Sequence, residues 1–424
     1  MIENFLHYIW RYKKFALTNL KTTNQEPVSV LQVGSYNLDA GPDFFNAQIT
    51  IANQLWAGNV EIHVNASDWF LHNHEQDKNY DNVILHVVWK HDTEIHRKDN
   101  TTIPTLVLKN LVNKSALYGY QKLFNKKQKW INCENDFITV DKFIVHNWLE
   151  RLYLERLERK SKEITQLLKS SKNNWEAVLF KMLAKSFGLK VNGDAFLSLA
   201  NSIDFNIIQK LQSKHSSLEA LLFGQSDLLN EEVQDIYYLE LQKEYQFLKQ
   251  KFGLSNPSVT PLQFFRLRPL NFPTIRLSQL VGVYASENHL FSKIISASAK
   301  EEIYKLFQVS TSAYWETHFT FGKKSKSSKK RITTAFIDLL IINTIVPLKF
   351  SYAKKQGKAV DEAVITLINE IVSEKNSIVT KFQELQVISK SAMHSQALLQ
   401  LKNEYCVKNK CLQCAIGNSL LSGN

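Results

Sequence analysis

Gly41-Pro42-Asp43 and Glu61-Ile62-His63 bring two carboxylates and an imidazole into one short stretch of a 424-residue chain. Asp and Glu oxygens are hard ligands that suit Mg²⁺ or Mn²⁺, ions that keep open positions for water and phosphate. A divalent cation shared by Asp43 and Glu61 would activate water against a phosphodiester, with His63 orienting or deprotonating that water. In a strand, Asn59, Glu61 and His63 share one face, and Val60, Ile62 and Val64 the other. Asp43 has the parity of Phe45, Ala47 and Ile49, so a bend after Gly41-Pro42 must redirect it. The structural alternative has Asp43 capping a turn and Glu61 paired with a basic residue on an exposed sheet face.

Other residues carry chemistry too. Six of the 12 histidines lie between His63 and His96, and His63, His72 or His74 with a carboxylate would make a zinc site, although no helical HxxxH spacing is present. His86, inside an apolar run, reads as a hydrogen-bonded core residue. Cys406, Cys411 and Cys414 have the spacing C-x4-C-x2-C, and Cys133 alone is left to complete a set of four. That set suits tetrahedral zinc or an iron–sulfur cluster, and it would tie the carboxyl terminus back to the segment after residue 112. The bland reading is four small buried hydrophobes. Arg266, Arg268 and Arg276 alternate with Phe264, Phe265 and Phe272, a composition that grips phosphates and stacks bases or simply pins a loop. Lys323, Lys324, Lys329, Lys330 and Arg331 belong to a serine-rich basic tract, expected to be mobile and to contact nucleic acid. No phosphate-binding glycine loop, nucleophile elbow or dinucleotide fingerprint occurs.

The elements that must position these groups follow from periodicity. Phe5, Ile9, Tyr12 and Ala16 predict a helix over 2–18. Strands are expected over 28–33, 44–52 and 55–64, the last two joined in a hairpin at Asn53-Gln54. Ser67 or Asp68 caps a short helix, and strands return over 83–89, a run apolar enough to be covered on both faces, and over 103–108. Beyond residue 111 the periods are helical, with long amphipathic helices over 143–168 and 228–252. Four of the 8 prolines fall within 257–273 and mark a loop or junction. The division expected is an α/β domain over 1–112, a helical region over 113–256, and a junction, helices and the cysteine cluster over 257–424.

The order helix–strand–strand–strand–helix–strand, with Pro-Asp and then Glu-x-His, resembles the PD-(D/E)XK nuclease superfamily. The resemblance implies a restriction-endonuclease-like mixed sheet with flanking helices, Asp43 and Glu61 as metal ligands, and His63 where the superfamily carries lysine. Glu3 is the local candidate for the extra carboxylate often supplied by the first helix. The chain as a whole also resembles an uncharacterised bacterial family known only as a domain of unknown function, through its DAGPDFFNA, WAGNVEIHV, RLRPLNFPTIRL and carboxyl-terminal cysteine segments. That resemblance implies no activity.

Charge divides unevenly. Residues 1–110 hold 9 Lys and Arg against 12 Asp and Glu, leaving 43 against 28 for the rest of a chain of net charge +12. An acidic domain beside a basic region suits a bound cation beside a polyanion, or, more plainly, a lysine-rich solubility surface. The longest apolar run, 335–348, is interrupted by Asp338, Asn343 and Pro347 and is too short to cross a bilayer. Glu3, His7 and Arg11 make the first residues amphipathic rather than a leader. The compartment expected is the cytoplasm, with no membrane partner. The function expected is divalent-metal-dependent phosphodiester cleavage in nucleic acid. The second reading is a nucleic-acid-binding or assembly protein that keeps the core without activity, which the loss of lysine at His63 favours. The third is a purely structural protein.

Overall fold

A computed structural model describes residues 3–124, 129–358 and 362–422. The chain divides into two compact units. The first comprises Met1–Leu149, Glu384–Gln386 and Gln400–Asn424; the second comprises Glu150–Gln383 and Val387–Leu399.

The first unit is built on a seven-stranded mixed sheet. Helix α1 (Glu3–Arg11) is followed by β1 (Leu20–Lys21), β2 (Pro27–Gln32), β3 (Ser35–Tyr36), β4 (Phe44–Ile51) and β5 (Gln54–Asn65). A short helix α2 (Asp68–Leu71) then leads to β6 (Val83–Lys90) and β7 (Thr105–Val107). The sheet order is β1-β2-β4-β5-β6-β7, with β3 also on β4. Pairing is antiparallel from β1 to β5 and parallel from β5 through β6 to β7. Side chains alternate along β5. Val60 and Ile62 join Phe5, Leu6, Ile9 and Trp10 of α1 in the main core. Glu61 and His63 therefore face the opposite side, where Trp69, Tyr80 and Val88 form a smaller cluster.

Several local expectations change for identifiable reasons. The first helix ends at Arg11, because Lys13 takes a left-handed φ of 49° and Lys14 N–H returns to Ile9 O at 2.9 Å. Phe15 then bridges Val112 instead of extending the helix, and the predicted first position, Ile2, lies outside the described residues. The β4–β5 turn sits at Ala52-Asn53, both with positive φ, so the hairpin closes one residue earlier than Asn53-Gln54. In the second unit, a helix predicted from 228 starts at Ile236, capped by the Asp235 carboxylate accepting from Tyr238 N–H.

The second unit is mainly helical, with one two-stranded hairpin, His318–Thr320 against Lys323–Lys324. The apolar run near 335–348 is part of a 22-residue helix, Thr334–Lys355, of which the most apolar window is 72% buried inside the protein. Pro347 is accommodated there by a π-helical turn at Ile341–Ile345. Buried Glu219 accepts hydrogen bonds from Tyr237, Ser278, Ser312 and Trp315. With each acceptor oxygen used, this carboxylate is a structural knot.

Candidate metal centre

The redirection that Asp43 requires is made by two local devices. Gly41 adopts φ 103°, and Asn46, at φ 56°, forms a bulge so that Phe44 pairs with Val60 but Ala47 pairs with Gly58. The extra residue changes parity. Phe44, Ala47, Ile49 and Ile51 face the core, Phe45 is only half-buried, and Asp43 is free of the core face. Beyond the last β4–β5 pair, side chains continue the ladder. Asp43 N–H donates to Glu61 Oε2, and Ile62 N–H donates to Asp43 Oδ2, both at 3.0 Å.

Imidazoles surround this pair. His7 Nε2 of α1 stands 3.1 Å from Asp43 Oδ2, and His74 Nε2 stands 3.3 Å from Glu61 Oε1. Both nitrogens are buried, and neither has a hydrogen-bond partner. Glu3 Oε1 lies 3.9 Å from His7 Nε2, at the rim. His63 is enclosed at 1% exposure. Its Nδ1 is 2.8 Å from His86 Nε2 and its Nε2 is 3.2 Å from His72 Nδ1, with Glu61 Oε1 at 3.5 Å. Among the described residues, His63, His72 and His74 form a trio whose ligand nitrogens all lie within 4.8 Å of one another.

The electrostatics follow from crowding in a dry site. Burial first, and the Asp43 charge second, push the Glu61 carboxyl well above the usual range. Burial pulls His7 down, but its interactions with Asp43, then Glu3 and Glu61, outweigh it and the net shift is upward. Burial and the neighbouring imidazoles His86, His74 and His72 push His63 down to about 2, so it is neutral. Buried Glu61 beside half-buried Asp43, with neutral His63 behind them, is short of positive charge, and a cation would relieve it.

The role expected of His63 needs correction. With both ring nitrogens engaged and no exposed edge, it is the hub of an imidazole network, not a side chain that meets solvent water. The imidazoles turned to the carboxylates are His7 and His74. The clustered histidines were a visible signal for His74; His7 had none, because its place depends on how α1 packs.

A cleft of about 230 Å³ adjoins this centre, lined among others by His7, Arg11, Tyr36, Lys408 and Lys410. Tyr36 Oη is 3.4 Å from His7 Nδ1, and the Arg11 guanidinium is 5.3 Å from the Tyr36 ring centre. His7 thus belongs to both the cleft and the carboxylates.

Elsewhere in the first unit, Cys133, Cys406, Cys411 and Cys414 line one small cavity as free thiols. In the second unit the predicted basic contacts separate into two groups. Arg266, Arg268, Lys323, Lys324, Lys329 and Arg331 are exposed. Arg276 is buried, donates to Gln279 and Asn271, and lies 3.8 Å from the Phe336 ring centre. Lys330 is 1% exposed and donates its Nζ to the carbonyls of Trp315 and Glu316. Burial removes both from the residues able to touch a nucleic acid. Nor is the basic tract a loose tail: Lys323 and Lys324 pair in the hairpin, Ser325 and Ser328 N–H bond to Thr317 and Glu316 carbonyls, and Arg331 bridges Ser310.

A family described as a protein of unknown function, DUF2851, matches residues 3–377. The chain belongs to this family. The match takes in α1, Asp43, Glu61 and all the clustered histidines, and it ends before Cys406. No curated protein and no solved structure matches the chain.

Proposed function

We propose that this protein is a divalent-metal-dependent phosphodiesterase of nuclease type acting on nucleic acid, with Asp43 and Glu61 as the metal-binding carboxylates. The observation that carries the reading is the pair of carboxylates locked to backbone, Glu61 by Asp43 N–H and Asp43 by Ile62 N–H, with the buried nitrogens His7 Nε2 beside Asp43 Oδ2 and His74 Nε2 beside Glu61 Oε1, neither having a hydrogen-bond partner. Such a donor set fits a cation. The mixture of carboxylate and imidazole favours Mn²⁺ over Mg²⁺, since nitrogen ligands suit the transition metals. The ion would supply Lewis-acid activation of water and neutralise phosphate charge.

The chain's own residues have separable tasks. Asp43 and Glu61 hold the ion. His7 faces both the carboxylates and the cleft, where it can orient a water or pass a proton. His63 and His86 fix the imidazole network from behind. Arg11, Lys408 and Lys410 line the cleft in which a phosphate would sit. The order of α1, the antiparallel strands β1 to β5, of which β2, β4 and β5 are the long ones, α2 and a strand parallel to β5 supports the likeness to the PD-(D/E)XK nucleases.

The test is cleavage of labelled single- and double-stranded DNA and RNA with Mn²⁺, with Mg²⁺ and with chelator. Cleavage should need the metal and fall at least ~100-fold in Asp43→Ala and in Glu61→Ala. Activity that survives both changes places the chemistry elsewhere. Tight binding without cleavage favours an inactive nucleic-acid-binding protein. A zinc hydrolase is a second reading, supported by His63 Nε2 and His72 Nδ1 at 3.2 Å. Two ligands on tetrahedral zinc stand about 3.3 Å apart, given bonds of 2.0–2.1 Å. Stoichiometric zinc lost on His72→Ala would favour that reading.

A further inference from the structure

The four cysteines come from distant parts of the sequence and meet at one place. Cys133 lies between α3 (Lys114–Leu123) and α4 (Lys142–Ser170), and the other three lie near the end of the chain. All four line the same cavity, with Phe137, Leu401 and Ile416 supplying apolar wall. Cys411 and Cys414 are buried, the other two half-buried, and none is in a disulfide.

The surroundings are those of ligands rather than idle hydrophobes. Asn132 Nδ2 donates to Cys411 Sγ at 3.4 Å. The Cys414 sulfur faces the backbone N–H groups of Ile416 and Gly417 at the start of the terminal helix. Donors aimed at sulfur stabilise thiolate and tune metal centres. Gly417 is needed for this closeness: a Cβ there would stand 2.1 Å from Cys411 O. Four thiols crowded together gain from a positive centre on which each gives up its proton.

Spacing chooses between metals. Sulfurs on one tetrahedral zinc stand about 3.8 Å apart, given Zn–S bonds of 2.3 Å. Among the described residues, the His63–His72–His74 trio is the group that brings its ligand atoms within 4.8 Å, so no three of the thiols are that close. Sulfurs around one cavity but farther apart suit a polynuclear centre, in which each thiolate meets its own iron. The C-x4-C-x2-C run agrees with that ligation.

The cysteine loop also has a second face. Between Cys406 and Cys411, Lys408, Asn409 and Lys410 line the cleft shared with His7 and Tyr36. Asn132, next to Cys133, donates to Asn409 Oδ1 at 3.1 Å as well as to Cys411. The same few residues close the cysteine cavity and hold the lysines in place.

We infer that Cys133, Cys406, Cys411 and Cys414 ligate an iron–sulfur cluster that fixes loop 407–410 as one wall of the cleft beside Asp43 and Glu61. The cluster is structural in this role and undergoes no redox step. Its part in shaping a phosphate-binding cleft rests on the function proposed above; its presence does not.

The full chain, purified without oxygen, is assayed for iron, acid-labile sulfide and zinc, and its visible absorption is recorded. Iron and sulfide in comparable amounts, lost together in Cys414→Ser and retained in Asp43→Ala, are the expected result. A folded wild-type protein with neither, or with stoichiometric zinc alone, overturns the cluster. Because loss of Cys414 also perturbs folding, the cleft is tested separately with the surface pair Lys408→Ala and Lys410→Ala. That variant should keep the iron and bind a labelled single-stranded oligodeoxythymidylate about 10-fold more weakly, with a shallower salt dependence. Unchanged oligonucleotide binding, with the iron retained, overturns the role given to the loop.

Discussion

Glu61 Oε2 accepts from the backbone N–H of Asp43 at 3.0 Å, while Asp43 Oδ2 accepts from the N–H of Ile62, the residue after Glu61. Each carboxylate is held by the other's strand. The two are therefore fixed relative to one another by backbone, and neither has to be ordered when a cation arrives, which lowers the entropy cost of binding.

Cation binding should depend on pH in a defined direction. The metal-free fold holds the Glu61 proton more tightly than the unfolded chain does, because burial and Asp43 oppose its ionisation. Its contribution to stability is full below the ordinary carboxylate pKa and is lost as pH rises through the raised value. A divalent cation replaces that proton. The increase in Tm caused by Mn²⁺ should thus be larger near pH ~8.5 than near pH ~5.5, measured by scanning calorimetry. An equal or smaller increase at the higher pH would contradict the arrangement.

Glu61→Gln separates function from stability. The amide keeps the shape and an acceptor for Asp43 N–H but removes the cost of taking an ionisable carboxyl from water into the buried site, where it must take up a proton. The variant should lose metal-dependent cleavage while its metal-free form at neutral pH gains about 0.5–2 kcal/mol, as at other strained sites. Urea denaturation with and without Mn²⁺ measures both. A less stable variant would mean that Glu61 is already compensated by its imidazoles.

The alternation of Glu61 and His63 against Val60 and Ile62 was legible in the sequence, as was the order of strands. The placement of Asp43 was not. Periodicity grouped it with Phe45, Ala47 and Ile49, and one left-handed residue, Asn46, reverses that grouping between Phe44 and Ala47. A bulge is a single-residue event that a period-2 reading cannot see. His7 was hidden for a different reason. Its contact with Asp43 depends on the docking of α1 through Phe5, Leu6, Ile9 and Trp10, a tertiary fact with no local signal. The meeting of Cys133 with the terminal trio could be anticipated because so few cysteines exist to pair. The fate of the basic tract could not, since Lys330 and Lys329 are identical in composition and differ only in what Trp315 and Glu316 present to them.

Gly417→Ala tests how tightly the terminal helix is seated on Cys411. The new methyl would meet the Cys411 carbonyl at 2.1 Å, with backbone on the other side of the contact, so the helix must shift. Overpacking of this kind costs about 1–3 kcal/mol. The expected outcome is a lower Tm together with reduced iron content. Unaltered stability would show that the segment carrying Gly417 is free to move away from Cys411.

The basic residues of the second unit should fall into two classes. Lys330 is buried beneath the hairpin, its Nζ shared between two carbonyls and 4.3 Å from the Phe319 ring centre. Lys330→Met leaves those carbonyls without their charged donor, at a cost of about 1.5–3 kcal/mol. It should lower the denaturation midpoint and leave the salt slope of nucleic-acid binding unchanged. Lys323, Lys324, Lys329 and Arg331 are exposed, so their replacement by alanine should leave stability within about 0.5 kcal/mol. If this surface meets phosphates, the quadruple variant binds more weakly and each lost contact reduces the slope of log K against log salt by about 0.9 on duplex DNA. Paired denaturation and salt-titration curves distinguish the classes. A Lys330→Met protein of normal stability with a shallower slope would reverse the assignment, and an unchanged slope in the quadruple variant would reduce these charges to a solubility surface.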